Sequence, residues 1–283
     1  MRVTLWGTRG SLPSPGPETQ RYGGNTPCVE ARCADGTLVI LDGGTGIRRL
    51  GAVLSPEIAR VDILLTHLHM DHIQGLGFFA PLYRPGLDVH IWGPASPTRG
   101  LRARLAQYLS PPLFPVQIRD LPCRLAFHDV PFEPFRLGRL EVRAALVCHP
   151  GPTVGYRITE DRTVLAYLPD HEPALGARRF PGAPNWTSGF ALAAGADLLI
   201  HDAQFSDEEY TRHIGWGHSA IGHVAAFADL AGARRVVPFH HDPAHADDVV
   251  DALHAQLRGR ASSFEVVAGM EGTTVEVGRP RAA

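Results

Sequence analysis

The stretch Asp62-Ile63-Leu64-Leu65-Thr66-His67-Leu68-His69-Met70-Asp71-His72 decides how the rest of the chain is read. Its first half is a short apolar run, which predicts a strand over Asp62–Thr66 covered on both faces. Its second half carries His67, His69, Asp71 and His72. Successive side chains alternate in extended backbone, so His67 and His69 point to one side. A turn after them brings Asp71 and His72 close by from the loop. Imidazole and carboxylate are good ligands for zinc, manganese and iron, and this set can serve two adjacent cations.

Three further donors stand where other predicted strands end. His149 follows Leu140–Leu146, Asp170 follows Val164–Leu168, and His240 follows Arg235–Phe239. A strand end is a rigid support for a functional side chain. Together with the first motif these residues make seven donors, enough for a dinuclear centre with one shared carboxylate.

The rest of the chain alternates between strand and helix patterns. Strands are predicted over Arg2–Leu5, Cys28–Cys33, Leu38–Leu41, Asp88–Trp92, Arg124–His128, Phe132–Leu137, Gly155–Thr159, Leu198–Asp202, Ser263–Val267 and Thr273–Val277. Helices are predicted over Gly46–Leu54, Arg99–Leu109, Ala220–Ala231 and Ala246–Arg258. Segment 172–188 is rich in Pro, Gly and Arg and is expected to be irregular. Strand runs followed by helices recur in both halves. That suits an α+β fold in which two β-sheets pack face to face with helices outside, an αββα sandwich. No linker or repeat divides the chain, so residues 1–283 are expected to form a single domain.

Composition narrows the function classes. With 44% hydrophobic and 20% charged residues, the chain is an ordinary globular sequence. Its net charge of −2 argues against a strongly basic nucleic-acid platform. No apolar run reaches the ~18 residues of a membrane span, and the N-terminus lacks a signal peptide's apolar stretch. A cytoplasmic protein with no membrane partner is therefore expected. All 27 basic residues are Arg, which we read as codon bias. Cys28, Cys33, Cys123 and Cys148 form no CxxC pair, so buried thiols are expected rather than a Cys-type zinc site.

The order HxHxDH, then His149, Asp170 and His240, resembles the metallo-β-lactamase superfamily of metallohydrolases from Leu5 to Asp242. The resemblance implies that His67, His69 and His149 hold one metal and that Asp71, His72 and His240 hold a second. Asp170 would bridge both, Asp71 would double as a catalytic group, and His241 is the rival of His240 for the last place. Asp42 matches the early Asp that lies under the metal loop in this superfamily. The implied cofactors are two divalent ions, zinc first, with manganese or iron as alternatives.

Two more stretches narrow the branch. Leu199-Ile200-His201-Asp202-Ala203 and Gly217-His218-Ser219-Ala220 resemble the His-Glu-Ala-Thr and Gly-His-Ser-Thr stretches of ribonuclease Z. By that match His218 is the general acid and Asp202 orients it. A His beside a carboxylate has a raised pKa and can donate a proton near neutrality. The implied reaction is attack on a phosphodiester by a hydroxide bridging two metals, with His218 protonating the departing alkoxide. The chain departs from ribonuclease Z in Asp202 for Glu and Ala220 for Thr. Between His149 and Asp170 it has room for one hairpin, where that family carries a long tRNA-gripping arm. The expected partner is thus a small phosphodiester or nucleotide, cyclic or RNA-derived, with tRNA disfavoured and a homodimer as one option. A thioesterase or glyoxalase-type metallohydrolase is the first alternative, and a non-catalytic metal-containing binding protein the second. Gly7-Thr8-Arg9-Gly10-Ser11 resembles N-terminal stretches of the same branch, with no role assigned. Trp216 could stack on a base or pack its own loop, and Arg178 and Arg179 could meet phosphate or stay solvated.

Overall fold

In the computed structural model, which describes residues 1–173 and 182–278, the elements run as follows. The strands are β1 (Arg2–Gly7), β2 (Cys28–Arg32), β3 (Leu38–Leu41), β4 (Arg60–Leu64), β5 (Asp88–Gly93), β6 (Arg124–Asp129), β7 (Phe135–Leu137), β8 (Leu140–Leu146), β9 (Val154–Glu160), β10 (Thr163–Leu168), β11 (Leu198–Asp202), β12 (Arg235–Phe239), β13 (Glu265–Val266) and β14 (Thr274–Glu276). The helices are α1 (Gly46–Val53), α2 (Met70–Ile73), α3 (Leu101–Leu105), α4 (Phe190–Ala193), α5 (Asp207–Tyr210), α6 (Ile221–Ala231) and α7 (Asp247–Arg260). Arg178 and Arg179, and part of the segment expected to be irregular, lie outside the described residues.

The strands form two mixed sheets, ordered β14-β1-β2-β3-β4-β5-β6 and β13-β12-β11-β10-β9-β8-β7. In the first, β3, β4, β5 and β6 run parallel while β14, β1, β2 and β3 alternate. The second repeats the plan: β7 to β10 alternate, and β10 to β13 run parallel. Alternation along each strand explains why the apolar runs are continuous. In β3, Val39 and Leu41 face the other sheet while Leu38 and Ile40 face the helices. In β10, Leu165 and Tyr167 face inward while Val164, Ala166 and Leu168 meet the layer built on α4, α6 and α7. Three apolar layers result, one between the sheets and one outside each, as the αββα expectation requires.

Several boundaries differ from the sequence expectation. The strand expected over Phe132–Leu137 starts only at Phe135, because Pro131 and Pro134 interrupt pairing and Phe132 points to solvent. The helix expected over Arg99–Leu109 is regular only in α3 and ends in tight turns ahead of Ser110-Pro111-Pro112. Asp71 and His72, expected in a loop, sit in the single turn α2. Ala220 is the N-cap of α6 rather than its first residue. The His149–Asp170 interval holds one hairpin, with Thr163 paired to Glu160. Cys28, Cys33 and Cys123 are buried free thiols, and Cys148 is half-buried. Among the described residues, no helix is long and apolar enough to cross a membrane.

One buried group outside the strand ends ties stability to pH. His254 on α7 is 1% exposed, and the Tyr22 ring packs edge-on against it at 5.0 Å. Burial, aided by the charge of Arg258, pushes its pKa down to about 4. A depressed imidazole pKa makes the unfolded chain the better proton binder below about 6.5, so stability falls as pH drops from there toward 4. The loss reaches on the order of 3 kcal/mol. Urea unfolding across this range should show that slope, to which buried His201, also pushed down to about 4, adds, and His254→Gln should make it shallower.

Candidate metal centre

The site lies where the strand ends of both sheets meet. Asp42 follows β3, and Thr66 and His67 lie just beyond β4. His149 follows β8, Asp170 follows β10, Asp202 ends β11, and His240 follows β12. Carboxyl ends of parallel strands are where open sheets carry ligands, because loops diverge there over a rigid base.

Asp42 is fully buried and holds φ at 60°, a left-handed conformation uncommon outside glycine. Its carboxylate accepts from the Thr66 N–H (2.7 Å), the Thr66 hydroxyl (3.0 Å), the Tyr167 hydroxyl (2.9 Å) and His72 Nδ1 (2.8 Å). The Thr66 hydroxyl, having given its hydrogen to Asp42, accepts from His67 Nδ1 at 3.1 Å. His149 Nδ1 donates to the Gly217 carbonyl at 2.9 Å, and His240 Nδ1 donates to Gln204 Oε1 at 2.9 Å. These outer bonds set the tautomers of four imidazoles and leave each Nε2 free for the centre. His69 is exposed and turns Nδ1 to within 3.2 Å of His149 Nε2.

Asp170 sits at the middle. Its Oδ1 lies 2.9 Å from His72 Nε2, and its Oδ2 lies 3.4 Å from His240, 3.7 Å from His149 and 3.8 Å from His67. Asp71 Oδ2 accepts from the Ser11 N–H at 2.9 Å and lies 3.1 Å from His240 Nε2. Two donor groups stand out: His67, His69 and His149, and separately Asp71, His72, Asp170 and His240, with ligand atoms in each group within 4.8 Å of one another. His67 Nε2, His72 Nε2 and Asp170 Oδ1 are buried without a hydrogen-bond partner. Among the described residues no Arg pairs with Asp71 or Asp170. Burial alone would raise Asp170, but the surrounding imidazoles hold it well below the usual carboxylate range. Orphaned ligand atoms around unneutralised buried carboxylates are the pattern that a divalent cation completes.

His240 faces this centre. His241, buried beside it, donates Nε2 to the Gly269 carbonyl and packs on Tyr22 and His254 instead. The turn at His240, with φ at 61°, separates the two. Gly10 lies against the His240 ring, where an added Cβ would sit 2.3 Å from Nδ1.

His218 borders both donor groups. Its ring lies 5.0 Å from that of His149 and 4.9 Å from that of His240. Its Nδ1 donates to Asp202 Oδ2 at 2.6 Å. Asp202 also accepts from the N–H groups of Ser219 (2.9 Å) and Gln204 (3.1 Å). Sequence reasoning passed over several supporting groups. Gln204 and Ser11 orient His240 and Asp71. Glu172, buried, accepts from Tyr210 and from the Gly215 and Gly217 N–H groups, so it holds the loop that carries His218. Trp216 in that loop is 60% exposed, and its ring packs edge-on against His213 of the same loop at 4.7 Å.

A family model described as a beta-lactamase superfamily domain matches residues 37–241. The chain belongs to the metallo-β-lactamase superfamily. Within it, the chain is ribonuclease Z-like: it is 30% identical to ribonuclease Z of Myxococcus xanthus, over 86% of this chain and 90% of that one. Its fold matches the metallo-β-lactamase fold protein YhfI from Bacillus subtilis at a TM-score of 0.71, with 18% identity over 97% and 99% of the two chains. It also matches the short form of human tRNase Z at 0.68, with 22% identity over 99% and 100%. Family and donor set make the chain a metal-dependent hydrolase. The relative's name, ribonuclease Z, leans against the expectation that tRNA is disfavoured.

The Asp42 arrangement yields a direct test. Asp42→Ala strands four buried donors, each with a desolvation cost of about 1–3 kcal/mol. Water entering the space left would satisfy some of them, so the unfolding free energy measured in urea should fall by about 2–5 kcal/mol rather than by the full sum. Asp42→Asn keeps the shape but turns an N–H toward one of the donors, so it should fall in between.

Proposed function

We propose that the chain is a single-domain phosphodiesterase that carries two divalent ions, zinc first. His67, His69 and His149 would hold one ion and Asp71, His72 and His240 the other, with Asp170 shared. Bound there, the ions would offset charge on the phosphate oxygens and bring the pKa of a water toward neutrality, supplying a nucleophile. The observation that carries the reading is the Asp202–His218 pair beside this cluster.

The chain's own residues handle the leaving group. Asp202 fixes the His218 ring through Nδ1, which leaves Nε2–H free to protonate the departing oxygen and His218 neutral afterwards. Burial alone would lower the His218 pKa, but Asp202, with Asp170 and Asp71, holds it up at about 9. Cations at Asp170 and Asp71 would cancel part of that effect and leave Asp202 as the main support. A thioester expels a good leaving group and needs no such donor, which ranks a thioesterase or glyoxalase-type reaction second. The single hairpin between His149 and Asp170 offers no long arm for tRNA, so we favour small diesters or short RNA.

Elemental analysis of metal-reconstituted protein should find close to two ions per chain, and Asp170→Ala should lower both occupancies. At most one ion in the unaltered protein would overturn the dinuclear assignment. His218→Ala should lower kcat by about 10²–10⁴-fold for a diester with an alkyl leaving group. It should have little effect with p-nitrophenolate, which departs without a proton, and both metals should stay bound. Equal losses on both substrates would make His218 a phosphate-positioning group.

A further inference from the structure

A cleft of about 660 Å³ opens from the metal centre, with His67 and His69 in its wall. Its far side is built from the segment before α3, the turns after it, and Pro150–Pro152. Volumes of roughly 300–1,000 Å³ are typical of small-ligand sites, so it has room for about a nucleoside and a further group. Ile73, Tyr108, Leu113 and Pro152 give it apolar walls that suit the faces of a sugar and a base.

Its charge is one-sided. Among the described residues that line it, none is Asp or Glu, while Arg99 and Arg104 both do. Arg104 is committed: it donates to the Pro94 carbonyl at 2.5 Å and lies 3.8 Å from Asp129. Arg99 is different. It is exposed, and among the described residues no hydrogen bond or ion pair engages its guanidinium. A free guanidinium offers a planar fork of donors that fits phosphate oxygens.

We propose that the cleft binds the part of the substrate beyond the scissile diester, and that Arg99 receives a second phosphate there. The inference rests on the phosphodiesterase reading for what occupies the metal centre. The ligand class is a nucleotide bearing two phosphates, either a free nucleoside bisphosphate or successive phosphates of a short RNA. Apolar walls and a single unpaired Arg select one nucleoside with one extra anion, where a long basic track would select a polymer.

Binding tests this without turnover, so it stands apart from the phosphodiesterase assays. Calorimetry on the metal-reconstituted protein would compare thymidine 3′,5′-bisphosphate with thymidine 5′-monophosphate, and a diuridine dinucleotide whose internucleotide link is an uncleavable methylene phosphonate, with and without a terminal 3′-phosphate. The doubly phosphorylated member of at least one pair should bind about tenfold tighter or better, the size expected of a charge-assisted hydrogen bond. Arg99→Ala should erase that advantage and Arg99→Glu should reverse it. An advantage confined to the mononucleotide pair identifies a free nucleotide, and one in the dinucleotide pair identifies RNA. No advantage in either pair, or an advantage that survives Arg99→Ala, overturns the proposal.

Discussion

The carboxylate of Asp42 is the contact on which the centre depends. A buried carboxylate without partners is costly. Here its acceptor sites are filled by Thr66 from the end of β4, Tyr167 from β10 and His72 from α2. Those donors belong to both sheets, so the interaction that satisfies Asp42 also fixes how the two sheets meet. The same bonds aim His72 and, through the Thr66 hydroxyl, His67. The left-handed backbone at Asp42 costs on the order of 1–3 kcal/mol. It brings the carboxylate back under the loop, where four donors converge.

The second sheet uses the same device twice. Asp202 accepts three backbone N–H groups, those of His171, Gln204 and Ser219, and the His218 imidazole, and Glu172 accepts two glycine N–H groups and a tyrosine hydroxyl. Glu172 thereby sets the Gly217 carbonyl that orients His149, as well as the loop that leads into His218. Gly217 has φ at +87°, and an added Cβ there would fall 2.5 Å from His149 Nδ1. Proton donor and metal donors are therefore positioned by one buried network. From the other end of the chain, the fully buried Arg9 donates to the carbonyls of Gly23, Asp242 and His245. It ties the N-terminal stretch to the turn after His240 and brings Ser11 to Asp71 and Gly10 to the His240 ring.

Most of the layered fold could be read from the chain. Leu38–Leu41, Val164–Leu168 and Leu198–Ile200 are continuous apolar runs because each face of these strands meets a different apolar layer. Where reading failed, the cause was local. Short turns such as α2, α4 and α5 are too brief for a periodic signal, and the prolines around Phe132 outweigh its strand preference. Of the supporting residues, Gln204 and Glu172 carried no signal, and Ser11 lay in a stretch whose resemblance to the branch gave it no role. A lone polar residue in a turn looks alike whether or not its partner lies far along the chain.

By itself the sequence determined the close-spaced donors: His67, His69, Asp71 and His72 follow a buried strand, and backbone geometry over six residues keeps them together. It also determined that His149, Asp170, Asp202 and His240 stand at strand ends. Only the tertiary structure decided which of the neighbours His240 and His241 faces the centre, because one left-handed turn sends the two rings to opposite sides. It also decided that Arg9 and Ser11 reach across the fold and that Arg99, among the described residues, is left without a partner beside the cleft. Local spacing sets local geometry. Contacts between residues tens to hundreds of positions apart depend on how the two sheets close on each other.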